Sequence, residues 1–191
     1  MDSCCSGRRG FITGLAAFAA LVGVELARPS GFAVAALTSK KRELWISRLD
    51  SGDQMFAPFS IDGKSLYLPG YFALCKVLRD RHVSWRQGAK YIDVRLIQAL
   101  WEVQGYFWSR GVHQPIVIHS GYRSPQTNAA TEGAVRNSLH MLGMAADFHI
   151  PGVSIERLWQ VCAACPLSGG VGYYPSGWVH LDVGDRRYWA G

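Results

Sequence analysis

Two histidines and one aspartate are the residues of this chain whose types and spacing best fit chemistry. They lie in two short segments, residues 138–147 and 177–182, which contain His140, Asp147 and His180. Two imidazole nitrogens and one carboxylate oxygen can hold zinc at about 2.0–2.2 Å and leave a fourth position for water. The sequence therefore predicts a zinc site, provided that the fold brings the two segments together.

Strand periodicity offers a way to bring them together. Residues 145–150 and 178–183 are both predicted to be β-strands, and side chains alternate between the two faces of a strand. If these strands are antiparallel neighbours, Asp147 and His180 can share one face of the sheet. His140 would then reach the same place from the loop before the first strand.

Hydrolysis at such a site also needs a group that accepts a proton. Water bound to zinc has a pKa near about 7, and a neighbouring side chain must take its proton and pass it to the leaving amine. Asp182 is the first candidate, because it shares a strand face with His180. His149 is the second candidate, by the same argument beside Asp147.

Arg123 is a further candidate for the site. It lies in the segment 119–124, directly after a short apolar run that predicts a buried strand, and loops at strand ends often carry function. A guanidinium group can bind a carboxylate in a bidentate manner or stabilise an oxyanion. An ordinary surface arginine in a loop is the alternative.

The first 36 residues are predicted to be an export signal. Arg8 and Arg9 stand just before an apolar run, residues 11–24, and small residues at 33–35 offer a cleavage site. Paired arginines in this setting are typical of the twin-arginine route, with an ordinary secretory signal or an uncleaved amphipathic anchor as alternatives. We expect residues 37–191 to form one domain that is exported to the periplasm and not stably inserted in the membrane.

Composition narrows the class of partner. Nearly half of the 191 residues are hydrophobic, 49%, which is enough for a sizeable core, and the net charge is +6. A modestly basic exported protein is attracted to acidic polymers such as a cell wall. Nucleic acid is not expected, because the sequence has no dense basic run with interleaved aromatic residues.

The secondary structure expected around the site is mixed. A helix is predicted over residues 93–108 with Asp93 as its cap, and another over 154–165 with Ser154 as its cap. A small strand meander is predicted over residues 43–68. Cys162 and Cys165 have redox or metal spacing, but a buried helical pair or a disulfide formed after export fits their context better.

Several ordered motifs resemble a known group of enzymes. The pattern Ser138-x-His140-x-x-Gly143-x-Ala145-x-Asp147, followed by His180-x-Asp182, resembles the zinc peptidases of the lysostaphin, D-alanyl-D-alanine peptidase and Hedgehog group. The murein endopeptidase K type of the D-Ala-D-Ala carboxypeptidase family is the more similar one within that group. That similarity includes residues 120–124, 145–150 and 169–175, covers roughly residues 43–189 and extends to the twin-arginine leader.

The resemblance implies an α+β fold with a central antiparallel sheet and flanking helices. It implies zinc on His140, Asp147 and His180, a substrate- or oxyanion-binding role for Arg123, and cleavage of peptide cross-links in bacterial peptidoglycan. Many relatives place a catalytic Glu or Asp three residues before the last zinc histidine. This chain has Gly177 at that position, so the resemblance does not identify the general base.

Several alternatives remain open at the level of sequence. The domain could be a non-catalytic, zinc-containing module that binds the cell wall, a D,D- or L,D-carboxypeptidase that trims terminal D-Ala, or an exported structural protein without a metal. For an endopeptidase, the D-Ala–diaminopimelate and the diaminopimelate–diaminopimelate cross-links are both possible. We expect a monomer.

Overall fold

The computed structural model describes residues 40–191, so the predicted export signal lies outside the described residues. The described part contains five helices and a seven-stranded sheet. The strands are β1 Arg42–Arg48, β2 Gln54–Ser60, β3 Ile116–Ser120, β4 Ala145–His149, β5 Gly170–Tyr174, β6 Trp178–Asp182 and β7 Arg187–Ala190. The helices are α1 Leu68–Leu78, α2 Trp85–Gly88, α3 Val94–Trp108, α4 Pro125–Ala130 and α5 Ile155–Ala164.

The sheet is mixed, so the prediction of an α+β fold is right and that of an antiparallel sheet is only partly right. The strand order is β2-β1-β3-β4-β6-β5-β7. β1 pairs with β3 and β5 pairs with β7 in parallel, whereas the other neighbours are antiparallel. Parallel pairing needs a long crossover, and three helices lie between β1 and β3 in the chain. The central strands β3, β4 and β6 are antiparallel, as predicted.

The two helices predicted from capping signals are confirmed. The Asp93 side chain accepts a hydrogen bond from the Arg95 amide at 2.8 Å, and α3 begins at the next residue. Ser154 caps α5 in the same way, through the Arg157 amide. Each cap satisfies an amide that has no partner inside its own helix.

One prediction at the edge of the sheet is wrong, and one strand was not predicted. Residues 65–67 do not form a third strand of a meander, because α1 begins at Leu68 with a proline in its first turn. Proline is preorganised for this helical position and cannot donate to a strand ladder. The sequence also did not predict β7, a short strand of mostly exposed or half-buried residues.

The apolar core lies between the sheet and helices α1, α3 and α5. Each helix contributes a buried stripe, with Leu74 on α1, Leu100 on α3 and Leu158 on α5 all fully buried. Phe148 of β4 and Leu181 of β6 meet this layer from the sheet. The core thus fixes one face of the central strands and leaves the side chains of the other face to line a cleft.

The cysteines of the described part are free and buried. Cys162 and Cys165 lie on and just after α5, and Cys75 lies on α1. The interpretation of Cys162 and Cys165 as a buried helical pair fits this arrangement. Among the helices of residues 40–191, none is both long and apolar enough to cross a membrane.

Candidate metal centre

The register of β4 against β6 brings the two predicted segments together. Asp147 and His180 are directly paired across the antiparallel ladder, so their side chains lie on the same face of the sheet. His140 reaches this face from a 3₁₀ turn, Leu139–Leu142, that immediately precedes β4. The structure therefore places all three predicted ligands in one cluster.

The three side chains are close enough to share one ion. Asp147 Oδ1 lies 2.8 Å from His180 Nδ1 and 3.2 Å from His140 Nε2, and the two ring nitrogens are 3.2 Å apart. All three residues are buried, and their candidate ligand atoms lie within 4.8 Å of one another. Such an arrangement fits a metal that takes nitrogen and oxygen ligands.

The backbone around His140 fixes which ring nitrogen faces the cluster. Its Nδ1 lies 2.7 Å from the carbonyl oxygen of Gly121, which can only accept a hydrogen bond. Nδ1 therefore carries the proton, and Nε2 offers its lone pair to the cluster. Gly143 ends the turn at a φ of 69°, a left-handed conformation that favours glycine, and its amide donates to the His140 carbonyl.

His180 is oriented by Asp182 in a similar way. Asp182 Oδ2 lies 3.0 Å from Nε2 of His180, so Nε2 donates and Nδ1 faces the cluster. Asp182 is 0% exposed and also accepts from the Gly170 and Gly184 amides at 2.8 and 2.9 Å and from Arg187 Nη2 at 2.6 Å. Asp182 thus contacts the ring nitrogen that points away from the other two ligands.

The electrostatics of the cluster favour a charged Asp147 carboxylate beside a neutral His140. Burial raises the pKa of Asp147, but His140 and His180 outweigh burial, so the pKa of Asp147 is lowered. Burial lowers the pKa of His140. Burial also lowers the pKa of His180, but its hydrogen bonds to Asp147 and Asp182 outweigh burial and raise that pKa. The opposing shifts are those of a tightly coupled polar cluster.

Arg123 lies beside the carboxylate of Asp147. Its Nη2 lies 2.6 Å from Asp147 Oδ2, and its Nε donates to Ser120 Oγ at 2.8 Å. The loop that carries it is fixed next to α1, because Asp80 accepts from the Ser124 amide at 2.7 Å. Two of the three guanidinium nitrogens are thus held by protein, which leaves Nη1 as the one that could contact a substrate.

His149 lies on the same side of the sheet but pairs with another histidine. Its Nδ1 lies 2.7 Å from Nε2 of His119, a residue of β3 that lines the cleft above the cluster. Burial lowers the pKa of both histidines, and for His119 the proximity of His149 lowers it further. Both rings are therefore favoured in the neutral form at neutral pH, in which one ring can donate a hydrogen bond to the other.

The cluster opens into a cleft of about 790 Å³, several of whose residues the sequence analysis did not select. Trp178 and Tyr174 stack with ring centroids 3.7 Å apart and line one side of it. Trp178 could have been found, because strand alternation places it on the face of His180. Arg187 and Trp189 also line the cleft, but they lie on β7, which has no clear signal in the sequence.

Gly177 occupies the turn between β5 and β6. Its φ of 119° is one that side-chain-bearing residues rarely adopt, although the space that a side chain would enter there is open. A carboxylate at this position would therefore strain the backbone unless the turn changed. The turn conformation gives a physical reason for glycine at this position.

Comparisons with known proteins show which family this chain is similar to. A family model described as peptidoglycan L,D-endopeptidase MepK matches residues 36–189. Peptidoglycan L,D-endopeptidase MepK of Escherichia coli K12 is 34% identical over 157 residues, which cover 80% of this chain and 82% of the relative. A probable peptidoglycan L,D-endopeptidase MepK of Haemophilus influenzae is 31% identical over 159 residues, which cover 81% of this chain and 82% of the relative. This chain belongs to the peptidoglycan L,D-endopeptidase MepK family.

Proposed function

We propose that this protein is an extracytoplasmic, zinc-dependent endopeptidase that hydrolyses peptide cross-links in bacterial peptidoglycan. The observation that carries the proposal is the buried cluster of His140, Asp147 and His180, with both imidazoles oriented through their second nitrogens. The relatives are named for this activity, and the family model matches nearly all of the described residues. A non-catalytic wall-binding module would not need a cleft that opens directly above such a cluster.

His140 Nε2, Asp147 Oδ1 and His180 Nδ1 would hold the ion. When bound, zinc makes water acidic and polarises the carbonyl under attack. Arg123 holds Asp147 through Nη2 and steadies a substrate carboxylate or the developing oxyanion through Nη1. All three ligands are buried, so water reaches the reacting bond only from the cleft.

The two candidate bases take different roles in this proposal. Asp182 accepts hydrogen bonds from four groups, one of which is Nε2 of His180, the ring nitrogen that points away from the cluster. Asp182 therefore orients His180 rather than taking the proton from water. His119 donates from Nε2 to His149 Nδ1 and offers Nδ1 as the proton acceptor in the cleft. His149 then stabilises the positive charge that forms on His119. In this proposal the general base is His119, supported by His149, and the role does not require a carboxylate at the position of Gly177.

Stereochemistry selects among the possible cross-links. The relatives are named L,D-endopeptidases. A diaminopimelate–diaminopimelate bond joins an L-centre to a D-centre, whereas a D-Ala–diaminopimelate bond joins two D-centres. We therefore propose the diaminopimelate–diaminopimelate cross-link as the bond that this protein cuts.

The test is mass spectrometry of cross-linked muropeptides after incubation with the zinc-loaded protein. We expect dimers joined by diaminopimelate–diaminopimelate bonds to become monomers, and dimers joined by D-Ala to persist. Removal of the metal with a chelator should stop the reaction, and added zinc should restore it. Zinc content of about one ion per chain without any cleavage would instead support the wall-binding module. Loss of terminal D-Ala from monomers would identify a carboxypeptidase.

We further propose that residues 1–36 are a twin-arginine export signal ahead of a peptidase domain at 37–191. The support is the Arg8-Arg9 pair before an apolar run and the start of the family match at residue 36. Export of the full chain should stop when both arginines are replaced by lysine. Export that continues through the general secretory route would contradict this assignment.

A further inference from the structure

A second depression lies beside the cleft, between α1, α2 and the segment before α3. We name it the α1–α2 groove. Its volume is about 460 Å³, and its main side chains are Phe72, Lys76, Arg79, Trp85, Lys90 and Tyr91. Neither the metal cluster nor the histidine pair contributes to it, so the proposed chemistry gives no reason for its composition.

The aromatic side chains of the groove are unusually exposed. Phe72, Trp85 and Tyr91 are 46%, 51% and 74% exposed. Phe72 and Tyr91 lie next to each other, with ring centroids 6.0 Å apart. A local cluster of large exposed rings is more informative than single exposed apolar residues, because it commonly marks a binding surface. Aromatic rings of this kind stack on the apolar faces of sugar rings.

The groove is also positively charged. Lys76 Nζ and the Arg79 guanidinium lie 5.7 and 4.7 Å from the centre of the Trp85 ring, and Lys90 lines the groove on its other side. Within the part of the chain that the structure describes, no acidic side chain lines the groove. Its ligand should therefore combine stacking surfaces with negative charge.

The groove lies next to the cleft. Lys90 Nζ lies 5.7 Å from the centre of the Tyr122 ring, and Tyr122 lines the cleft next to Arg123. On the other side, Arg79 lines the groove while the next two residues of the chain line the cleft. A polymer that extends past Lys90 or Arg79 can therefore contact both depressions at once.

We propose that the α1–α2 groove is a second binding site for peptidoglycan, which holds a glycan strand and its acidic stem peptide while a cross-link is in the cleft. The identity of the polymer rests on the proposed function. The sugar rings of peptidoglycan can stack on Trp85 and Tyr91. The carboxylates of its stem peptide can form ion pairs with Lys76 and Lys90. A concave groove with cations between its rings fits a strand better than a membrane surface, which favours rings that project outward.

The first experiment measures binding to sacculi rather than their cleavage. The full chain is sedimented with increasing amounts of purified sacculi, and the bound fraction is compared with that of a Trp85→Ala/Tyr91→Ala variant. We expect about tenfold weaker binding of the variant, with an unchanged melting temperature. Phe56→Ala is the matched control, because Phe56 is 53% exposed and lines neither depression. Equal binding by the variant and the wild type would overturn the proposal.

The second experiment separates the groove from the catalytic centre. We expect kcat/KM of the Trp85→Ala/Tyr91→Ala variant to fall about tenfold on sacculi and to stay unchanged on cross-linked peptide dimers that carry no sugar. An equal fall on both substrates would overturn the proposal, because it would indicate damage to the cleft. A wild type that cuts neither substrate would refute the proposed function, while sedimentation would still test the groove.

A third arm tests the chemistry of the ligand. A Lys76→Glu/Lys90→Glu variant should bind intact sacculi about tenfold more weakly and bind uncharged N-acetylglucosamine oligomers as the wild type does. Tighter binding of the wild type to phosphatidylglycerol vesicles or single-stranded DNA than to sacculi, lost in the same variant, would replace this proposal with a membrane or nucleic-acid surface.

Discussion

Two faces of the β4–β6 ladder are built from alternate residues of the same two strands. On the core face, every side chain is apolar and fully buried: Ala146, Phe148, Val179 and Leu181. On the other face, Ala145 is buried and apolar, but the other three buried side chains are polar: Asp147, His180 and Asp182. The side chains of the two faces are buried to a similar degree but are stabilised differently. Apolar side chains need only close packing, whereas buried polar groups need hydrogen-bond partners.

The comparison explains how a site can be both buried and available for chemistry. Each polar group on the site face is held by a specific donor or acceptor, such as Arg187 for Asp182 and Gly121 for His140. The core face supplies the rigidity that keeps those partners in register. A change on one face should therefore affect metal and activity, and a change on the other should affect stability.

The largest expected effect is on the site face. His180→Ala removes one ligand and should lower activity by at least about 1,000-fold, since the proposed metal supplies both the nucleophile and the polarisation of the carbonyl. Bound zinc, measured by elemental analysis, should fall with it, while the circular dichroism spectrum is retained. His113→Ala, at an exposed histidine, is the control. Activity that is retained in the absence of bound metal would contradict the assignment of a zinc site.

The second-largest effect is expected for a substitution on the core face. Phe148→Ala removes a fully buried ring and should lower the free energy of unfolding by about 3–5 kcal/mol. The fraction that remains folded should still bind zinc. Denaturant unfolding measures the change, with Leu49→Ala, at a residue 57% exposed, as the near-neutral control. Equal costs for the two variants would mean that the ladder is not packed as described.

A smaller effect tests the residue that supports a ligand. Asp182→Asn keeps the shape but weakens the hydrogen bond that orients His180, so zinc affinity should fall about 10–100-fold. Competition with a chelator of known affinity measures it. If Asp182 were instead the base, activity at saturating zinc would collapse while affinity stayed the same. The two outcomes separate an orienting role from a catalytic one.

The smallest effect is a pH dependence that comes from the histidine pair. Burial lowers the pKa of His119 and His149 below the ordinary value of 6.5, so the proposed base is neutral and active at pH 7. As the pH falls below that lowered pKa, activity should fall about tenfold per pH unit. The zinc content must be measured at each pH, because acid also displaces metal. An acid limb that persists unchanged in His119→Gln would remove this pair from the reaction.

Much of the site could be predicted because its ligands follow simple periodicities. Alternation along two strands placed Asp147 and His180 on the same face of the sheet, and capping signals located α3 and α5. β7 could not be predicted in this way, because it is a short, largely exposed edge strand without an apolar pattern. Arg187 on that strand, which binds Asp182, was missed for the same reason.

The sequence by itself determined the candidate ligands, the caps and the resemblance of its motifs, since all of these depend on residue type and local spacing. Only the tertiary structure decided what each group contacts. It brought His140 to His180, paired His149 with His119 and put the α1–α2 groove beside the cleft. Contacts between residues 30 or more positions apart depend on strand order and register, which local patterns do not encode.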